Sequence, residues 1–359
     1  MKVDFLINKM SGGGAERVVS LLANYLVQKG LSIRIITFTG DDNYELDSRI
    51  KRIKLHSHPL FHSVVINGFF SLLSFYKNKN NRPDIISSHI NLLGYLTIPI
   101  ARIYNLKLIV SEHNNHYTKS TFAKKILWNN LYPLASAVTI LTQFDQEYFS
   151  KRNKNVWLMP NPCTFQTVKE NDIKFSDSKE ILAIGDVNRY DHKGFDNLIY
   201  IAKSVLTKHP DWTFKIVGKG DDGITYLKKL SEELGIQDNI VFTGYRTDIK
   251  NLLLNTAIFV LPSRYEGLPM TLLEAMSQGV CCIAFDCISG PSDIITHGEN
   301  GSLVENQNID DMALKLSELI SSPEKRKQFK LNAPKALDKF SIENVGHNWT
   351  ELIEQVTKS

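Results

Sequence analysis

The chain has 359 residues, of which 43% are hydrophobic and 22% are charged, a composition of folded globular proteins that excludes disordered and fibrous classes. This length exceeds the usual size of one domain and favours two. No stretch reaches the roughly 18 to 20 apolar residues of a membrane-spanning helix. The opening segment MKVDFLINKM is interrupted by Asp4 and predicts a buried strand, not a signal peptide. The four cysteines lack metal-ligand or disulfide-framework spacing, which favours the cytosol.

The charge is distributed unevenly along the chain. Residues 1–160 carry 20 Lys and Arg against 10 Asp and Glu, and the remainder carries 22 against 28, which gives formal charges of +10 and −6. A basic half indicates an anionic partner, such as nucleic acid, an acidic membrane surface or a phosphorylated acceptor. Because no helix-turn-helix, zinc-finger or RNP signature accompanies this charge, nucleic acid is not expected as a partner.

Short apolar runs alternate with helix-length segments from the N-terminus onwards. Apolar residues recur at helical spacing within Glu16–Gly30, and Gly30 is placed to end that helix. The strand candidates of this half are KVDFLIN, SIRIITF, DIISSHI, LKLIVSE and AVTILT. Such alternation predicts an α/β fold with a parallel, doubly wound sheet, which binds ligands at the carboxyl ends of its strands.

The alternation stops in a polar stretch with two prolines, and we expect a linker over residues 161–179. It then restarts with the strand candidates EILAIGD, FKIVGKG, NIVFTG, AIFVLP and VCCIAF. We therefore expect one Rossmann-like domain over residues 1–160 and a second over residues 180–340. Residues 341–359 are expected to form a C-terminal helix with Ser341 at its N-cap, which packs back on the first domain.

One very apolar segment, Leu60 to Tyr76, immediately precedes the basic residues Lys77, Lys79 and Arg82. It is either a helix packed on its own sheet or an interfacial element whose basic end contacts anionic lipid headgroups. The sequence leaves both interpretations open.

The strongest local signal is VLPSRYEGLPMTLLEAMSQG, residues 260–279. A buried strand is followed by a tight loop, and a helix is expected to begin near Met270 or Thr271. Loop N–H groups and the positive end of that helix would form an anion site. Glu266 and Glu274 could face one ligand, and carboxylates accept strong hydrogen bonds from sugar or ribose hydroxyls. Glu274 could equally be a glutamate that only stabilises the helix dipole.

This segment resembles the E-x7-E signature of family 4, the retaining glycosyltransferases of GT-B fold, of the bacterial surface-polysaccharide type. The resemblance extends from SGGGAERV to the last helix and includes SGPSDII and NGSLV. It implies an α/β GT-B fold, that is, two Rossmann-like doubly wound domains with a cleft between them. It further implies that Glu266 contacts the donor sugar and Glu274 the ribose. The backbone of the intervening loop would hold the sugar and diphosphate, through Gly267, Leu268, Pro269, Met270 and Thr271.

A second constellation is AIGDVNRYDHKGFDNLI, residues 183–199, where Arg189 and Lys193 follow a strand. Two cations at the carboxyl end of a strand suit a diphosphate leaving group, whose developing charge must be stabilised. The family has Arg directly after the strand's Gly and Lys six positions after it. Here Asp186 follows Gly185 and Lys193 lies eight positions on, so Lys193 matches well and Arg189 matches only through a two-residue insertion.

Three further loops follow strands. KMSGGGAER lacks the G-x-G-x-x-G spacing of a dinucleotide site, and the resemblance makes Gly13 and Gly14 contacts of the donor diphosphate. LIVSEHNNHY contains His113, which matches a family histidine near the reacting sugar carbon, with His116 a weaker match. FTGYRTDI resembles the segment that meets the nucleotide base, which nominates Gly244, Tyr245 and Arg246.

The chain contains no D-x-D motif, so no metal and no other cofactor is expected, and cationic side chains would take the place of Mg²⁺. The favoured function is retaining transfer of a hexose or N-acetylhexosamine from a nucleotide-diphosphate sugar, UDP being the commonest nucleotide in the family. The acceptor would be lipid-linked or a glycan, in surface polysaccharide, O-antigen or lipopolysaccharide synthesis. We expect the protein in the cytoplasm or peripherally on the inner face of the membrane. The alternatives are a sugar-nucleotide epimerase or hydrolase, and a non-catalytic nucleotide-sugar-binding subunit.

Overall fold

A computed structural model describes residues 1–55, 63–117, 121–173 and 177–358. The chain divides into two compact units. The first unit consists of Met1–Pro162 and Phe340–Ser359, and the second of Cys163–Lys339. Each unit is built on one parallel sheet with helices between the strands, as the alternating pattern predicts.

The first unit contains a seven-stranded parallel sheet of order β3-β2-β1-β4-β5-β6-β7. Its strands are β1 Lys2–Leu6, β2 Ser32–Thr37, β3 Lys51–Lys54, β4 Ile85–His89, β5 Lys107–Ser111, β6 Ala137–Ile140 and β7 Val156–Leu158. Its helices, up to residue 150, are α1 Gly14–Gln28, α2 Val64–Lys77, α3 Asn91–Tyr104, α4 Phe122–Ile126 and α5 Gln146–Ser150. A π-helical turn, Leu127–Leu131, continues α4. The five predicted strands of this half are confirmed, whereas β3 and β7 were not predicted.

Asp4, which interrupts the first apolar run, is fully buried in the centre of this sheet. Its register partner on β2 is Arg34, whose Nε lies 2.6 Å from Asp4 Oδ1. The hydroxyl of Tyr76 on α2 donates to Asp4 Oδ2 at 2.7 Å. The carboxylate is therefore stabilised by charge-assisted hydrogen bonds, as a buried charge requires.

Helix α2 covers most of the apolar segment whose role the sequence left open; residues 60–62 of that segment lie outside the described part. Leu72 and Tyr76 of α2 are fully buried, so one face packs on the sheet of its own unit. Ile66 and Phe70, one turn apart, are 44% and 51% exposed on the other face. In the part of the chain that the structure describes, none of the helices combines the length and the apolarity of a membrane span.

The second unit contains a six-stranded parallel sheet of order β10-β9-β8-β11-β12-β13. Its strands are β8 Glu180–Ile184, β9 Thr213–Val217, β10 Ile240–Gly244, β11 Ile258–Leu261, β12 Cys281–Asp286 and β13 Ser302–Glu305. Its helices are α6 Tyr190–Lys193, α7 Phe195–Lys208, α8 Asp221–Glu233, α9 Ile249–Leu254, α10 Met270–Ser277, α11 Pro291–Ile294, α12 Ile309–Ser321 and α13 Pro323–Asn332. The five predicted strands are confirmed, and β13 is additional.

Two further segments complete the fold, namely the stretch where the units divide and the C-terminal helix. The division falls between Pro162 and Cys163, inside the stretch 161–179, of which residues 174–176 lie outside the described part. After the division, Val168 N–H donates to the Ser277 carbonyl at the end of α10, at 2.9 Å. The last helix, α14 Ile342–Lys358, belongs to the first unit. Its N-cap is the predicted one, since Asn344 N–H donates to Ser341 Oγ at 3.2 Å.

Candidate active site

Lys193 and Glu266 form an ion pair at the carboxyl edge of the second sheet, where β8 and β11 are neighbours. Lys193 Nζ lies 2.8 Å from Glu266 Oε1, and Ser263 Oγ donates to the same oxygen at 2.6 Å. Burial by itself would raise the pKa of Glu266, but the charge of Lys193 and these two hydrogen bonds outweigh it and lower the pKa. Glu266 is therefore a buried carboxylate at neutral pH.

Gly194 allows the chain that carries Lys193 to lie against the end of β11. Its φ is +67°, and a Cβ at this position would come within 1.8 Å of the Pro262 carbonyl oxygen. Only glycine fits both the left-handed backbone and this close approach. The lysine therefore owes its place beside Glu266 to the residue that follows it.

Arg264 ties the loop after β11 to the start of α7. Its guanidinium donates to both carboxylate oxygens of Asp196 at 2.7 Å, and its N–H donates to the His192 carbonyl at 3.0 Å. A bidentate arginine–carboxylate pair fixes orientation as well as distance. The loops after β8 and β11 thus form one connected structure around the ion pair.

His192 is a site residue that the sequence analysis missed. Its ring stacks on Tyr265 with centroids 3.9 Å apart, and its Nε2 lies 2.9 Å from the Tyr265 carbonyl oxygen. Burial, and then the charges of Lys193 and Arg189, lower its pKa to about 4. The neutral ring accepts a hydrogen bond from Arg189 at Nδ1 and donates from Nε2. A lone histidine in a loop matches no motif. The one signal that could have indicated His192 is its position directly before Lys193.

Arg189 and Lys193, the two predicted cations, lie at the ends of two consecutive short turns. Arg189 closes a 3-10 turn, Val187–Arg189, and Lys193 closes α6. His192 connects them, since it contacts Arg189 through its side chain and precedes Lys193 in the chain. The structure therefore brings both predicted cations to the loop that follows β8.

Helix α10 begins at Met270, as predicted, and the Pro269 carbonyl accepts the first hydrogen bonds of the helix, from Leu272 and Leu273 at 3.2 Å. The helix directs its N-terminal N–H groups, which include that of Thr271, and the positive end of its dipole toward the preceding loop. Glu274 lies one turn into the helix and is only 3% exposed.

The loop before α10 is held by the SGPSDII segment. Ser289 Oγ donates to the Gly267 carbonyl at 3.0 Å, and Leu268 is buried. Gly290 has a φ of +99°, and a Cβ there would lie 2.7 Å from the Gly267 oxygen. Residues 267–269, predicted from the resemblance to contact a donor, are therefore fixed by contacts from a second segment.

The predicted base-contacting residues follow β10, an edge strand of the second sheet. Gly244 ends the edge strand β10, three strands from β11, a separation of roughly 14 Å at the usual strand spacing. Tyr245 is 72% exposed. Arg246 forms a bidentate pair with Asp248 at 2.8 and 2.7 Å, which raises its pKa. These residues lie at the same carboxyl end of the sheet as Glu266, but three strands away from Glu266.

In the first unit, the glycine-rich loop after β1 is organised by Tyr44. The Gly13 N–H donates to the Tyr44 hydroxyl at 2.9 Å, and that hydroxyl also lies 2.9 Å from the Gly13 carbonyl. A Cβ on Gly13 would lie 2.3 Å from Glu16 Oε2. Gly14 is the first residue of α1. Tyr44 lies in a loop with no motif, so nothing in the sequence connects it with Gly13.

His113 follows β5 at the carboxyl edge of the first sheet and is partly exposed. Its Nε2 lies 3.0 Å from Nδ1 of the buried His89, and burial lowers its pKa to about 4. His116 is held differently: its Nδ1 lies 2.7 Å from Asp145 Oδ1, and its ring stacks on Tyr148 at 4.1 Å. The structure therefore gives His116 a packing role and leaves His113 as the better candidate.

Beside His113, Glu112 is a buried carboxyl group with two donors. Trp128 Nε1 donates to its Oε1 at 2.8 Å, and the hydroxyl of Tyr132 donates to the same oxygen. Burial dominates these contacts and raises the Glu112 pKa to about 7. Trp128 lies in the π-helical turn, so Glu112 fixes that turn to the end of β5.

The described residues contain no group of three or more His, Cys, Asp or Glu side chains that could hold a metal ion. The four cysteines are buried and form no disulfide bonds.

The sequence matches known families over almost its whole length. Residues 12–163 match the family described as Glycosyltransferase Family 4, and residues 165–336 match the family described as Glycosyl transferases group 1. The two matches meet where the two units divide. This chain belongs to glycosyltransferase family 4.

This glycosyltransferase is similar in sequence to several bacterial enzymes. It is 29% identical to the GalNAc-alpha-(1->4)-GalNAc-alpha-(1->3)-diNAcBac-PP-undecaprenol alpha-1,4-N-acetyl-D-galactosaminyltransferase of Campylobacter jejuni, with 99% of each chain covered. It is 27% identical to the lipopolysaccharide 1,6-galactosyltransferase of Salmonella typhimurium, covering 89% of this chain and 90% of the other. The crystal structure of Anabaena HepE in complex with UDP and glucose aligns with a TM-score of 0.81 at 18% identity, covering 99% of this chain and 100% of the other. At that identity the structural likeness establishes the GT-B fold alone.

Proposed function

We propose that this glycosyltransferase moves a hexose or N-acetylhexosamine, with retention of anomeric configuration, from a UDP-sugar to a lipid-linked or glycan acceptor. The process served would be surface polysaccharide, O-antigen or lipopolysaccharide synthesis. The observation that carries this proposal is the ion pair between partly buried Lys193 and buried Glu266, in the loops beside the N-terminus of α10. Cationic and hydroxyl-accepting groups are the two kinds of contact that a sugar diphosphate needs, and here they share one sheet edge.

The donor would use these groups in separate roles. The Glu266 carboxylate would accept from a sugar hydroxyl, and Glu274 would accept from the ribose. Lys193, Arg189 and the positive end of α10 would stabilise the negative charge that develops on the diphosphate as it leaves. UDP is favoured by the UDP bound in Anabaena HepE and by its frequency in the family.

For retention, the acceptor oxygen would attack the anomeric carbon from the face that the diphosphate leaves. The bond from the anomeric carbon to the phosphate oxygen breaks, and the bond to the acceptor oxygen forms. The acceptor proton passes to the departing phosphate oxygen. Fixed cations at Lys193 and Arg189 assist because they are already oriented when the charge develops. We propose that no metal is required, and we expect EDTA to leave the rate unchanged.

The proposed acceptor is carried on an anionic lipid. Residues 1–160 have a formal charge of +10, and Ile66 and Phe70 expose apolar side chains on α2. The Campylobacter relative is named for an acceptor on undecaprenyl diphosphate. We expect binding to anionic vesicles at low salt that weakens in Ile66→Ser/Phe70→Ser. Unchanged binding in that variant, or none in the original protein, would contradict the membrane part of the proposal.

The function is tested by incubating the protein with UDP-glucose, UDP-galactose, UDP-GlcNAc or UDP-GalNAc, with and without lipid extract from a polysaccharide-producing bacterium. We expect one donor to release UDP faster with extract and to give a product whose anomeric proton coupling matches the donor. Equal turnover without acceptor would favour the hydrolase or epimerase alternative. Donor binding without any turnover would favour a non-catalytic subunit.

A further inference from the structure

A line of two hydrogen bonds joins three polar side chains, of which Ser87 and His89 are buried and His113 is partly exposed. Ser87 and His89 are two positions apart on β4, so their side chains project from the same face of the sheet. Ser87 Oγ lies 3.0 Å from His89 Nε2, and His89 Nδ1 lies 3.0 Å from His113 Nε2. Ser87 and His89 are fully buried. We call this line the Ser87–His89–His113 relay.

The middle ring of the relay, that of His89, packs in a cluster with two aromatic rings, which also contact each other with centroids 6.2 Å apart. The His89 ring stacks on Phe5 of β1, with centroids 5.2 Å apart, and on Trp349 of α14, with centroids 5.8 Å apart. Burial, and then the neighbouring His113, lower the His89 pKa well below its ordinary value. With the His113 pKa also lowered, both rings are neutral near pH 7, and each carries one N–H.

The hydroxyl of Ser87 sets the direction of the relay. Within the described residues, His89 Nε2 is the only hydrogen-bond partner of Ser87 Oγ, and leaving a buried hydroxyl hydrogen without an acceptor is costly. Ser87 therefore donates to His89 Nε2. The His89 proton then resides on Nδ1 and is donated to His113 Nε2, which leaves the His113 proton on Nδ1.

We propose that Ser87 and His89 are positioning residues that hold His113 in the Nδ1–H tautomer, so that Nδ1 donates a hydrogen bond to a substrate oxygen. That oxygen belongs to a sugar hydroxyl or a phosphate, and this part rests on the proposed function. In the described part of the chain, His113 Nδ1 has no protein partner. Its partly exposed position at the carboxyl edge of the sheet is where α/β folds bind ligands.

The tautomer is measured directly by long-range ¹H–¹⁵N correlation NMR on the full-length protein labelled at histidine, with His113→Gln for assignment. At pH 7 we expect neutral His113 with its proton on Nδ1. His89→Phe keeps a ring in contact with Phe5 and Trp349 and removes the donor, so His113 should change toward the Nε2–H form. Ser87→Ala, a smaller change, should give a mixture. Trp349→Phe alters the stacking and keeps the relay, so the tautomer should not change.

Kinetics separates positioning from packing. With the donor and extract identified above, His89→Phe should lower kcat about 10-fold, the size expected for one hydrogen bond, with the donor KM unchanged. His89→Asn, whose side-chain amide can donate in place of Nδ1–H, should recover part of kcat.

A His113 proton on Nε2 in the original protein, or a tautomer insensitive to His89→Phe, overturns the relay. A tautomer change with unchanged kcat overturns the positioning role. No turnover in the original protein would contradict the proposed function, whereas the spectrum alone decides the relay.

Discussion

Lys193 Nζ lies 2.8 Å from Glu266 Oε1, although 73 positions separate the two residues in the sequence. The pair joins the loops that follow two neighbouring strands, β8 and β11. Gly194 permits the close approach of these loops, and Arg264 connects them through Asp196 and the His192 carbonyl. The ion pair therefore forms only in the folded protein. Its effect on stability and its effect on donor binding can be measured separately.

Removing the cation alone should destabilise the second unit. Lys193→Met removes the positive charge beside the buried Glu266 carboxylate, and we expect a loss of about 3 kcal/mol in the free energy of unfolding at pH 7. Lys193→Met/Glu266→Gln removes both charges and should recover most of that loss. Urea titrations of the two variants and the original protein provide the comparison. A double variant as unstable as the single one would show that the charge is not the cause.

The same pair has a defined pH dependence. Because the Glu266 pKa is lower in the folded protein than its ordinary value of 4.5, the pair stabilises the fold above that value. The stabilisation is lost as the pH falls from about 4.5 through the folded pKa. Lys193→Met should therefore differ most from the original protein at neutral pH and least in acid.

Gly194 offers a test with a matched control. Gly194 and Gly235 have nearly equal φ values of +67° and +65°, but no atom lies within 4 Å of a Cβ at Gly235. Gly235→Ala should cost about 1 kcal/mol from backbone strain alone. Gly194→Ala must also displace the Pro262 carbonyl, and we expect at least about 3 kcal/mol together with weaker donor binding. Equal effects of the two substitutions on thermal unfolding would contradict the packing described for Gly194.

The sequence predicted ten strands, among them the edge strand β10, because each is a compact apolar run between helices. It missed β3 because Lys51–Lys54 is a mostly exposed, charged edge strand without an apolar pattern. Edge strands of parallel sheets have only one neighbour, so their side chains need not be apolar. The exposed pair Ile66 and Phe70 was likewise not separable from the buried side of α2, because large apolar residues occur on both faces of this helix.

In the site, motifs identified Glu266, Glu274 and Lys193, and the structure places Lys193 in contact with Glu266. Sequence reasoning could not find His192, Arg264 or Tyr44, because each acts through a contact with a residue distant in the chain. Arg246 was nominated for packing on a base, and its bidentate pair with Asp248 is a local contact that no motif indicated. The functional roles of all the nominated residues remain predictions.

Glu112 should make stability depend on pH in the opposite sense to Glu266. Its pKa is about 7 in the folded protein against an ordinary 4.5, so the folded state binds more protons between these values. The free energy of unfolding should therefore fall as the pH rises from 4.5 to 7, by up to about 3 kcal/mol from this group. Glu112→Gln keeps an oxygen for Trp128 and Tyr132 and cannot titrate, so its profile should lack that fall. Parallel profiles would contradict the raised pKa.

The most direct test of the central claim is isothermal calorimetry of donor binding to the original protein and to Lys193→Ala, Glu266→Ala and Glu274→Ala. Gly235→Ala serves as a control outside the site. With the best-binding UDP-sugar, each site substitution should weaken affinity at least about 10-fold, since each removes a charge-assisted contact, and the control should bind like the original protein. Equal binding by all five proteins would mean that the donor site does not lie at Lys193, Glu266 and Glu274.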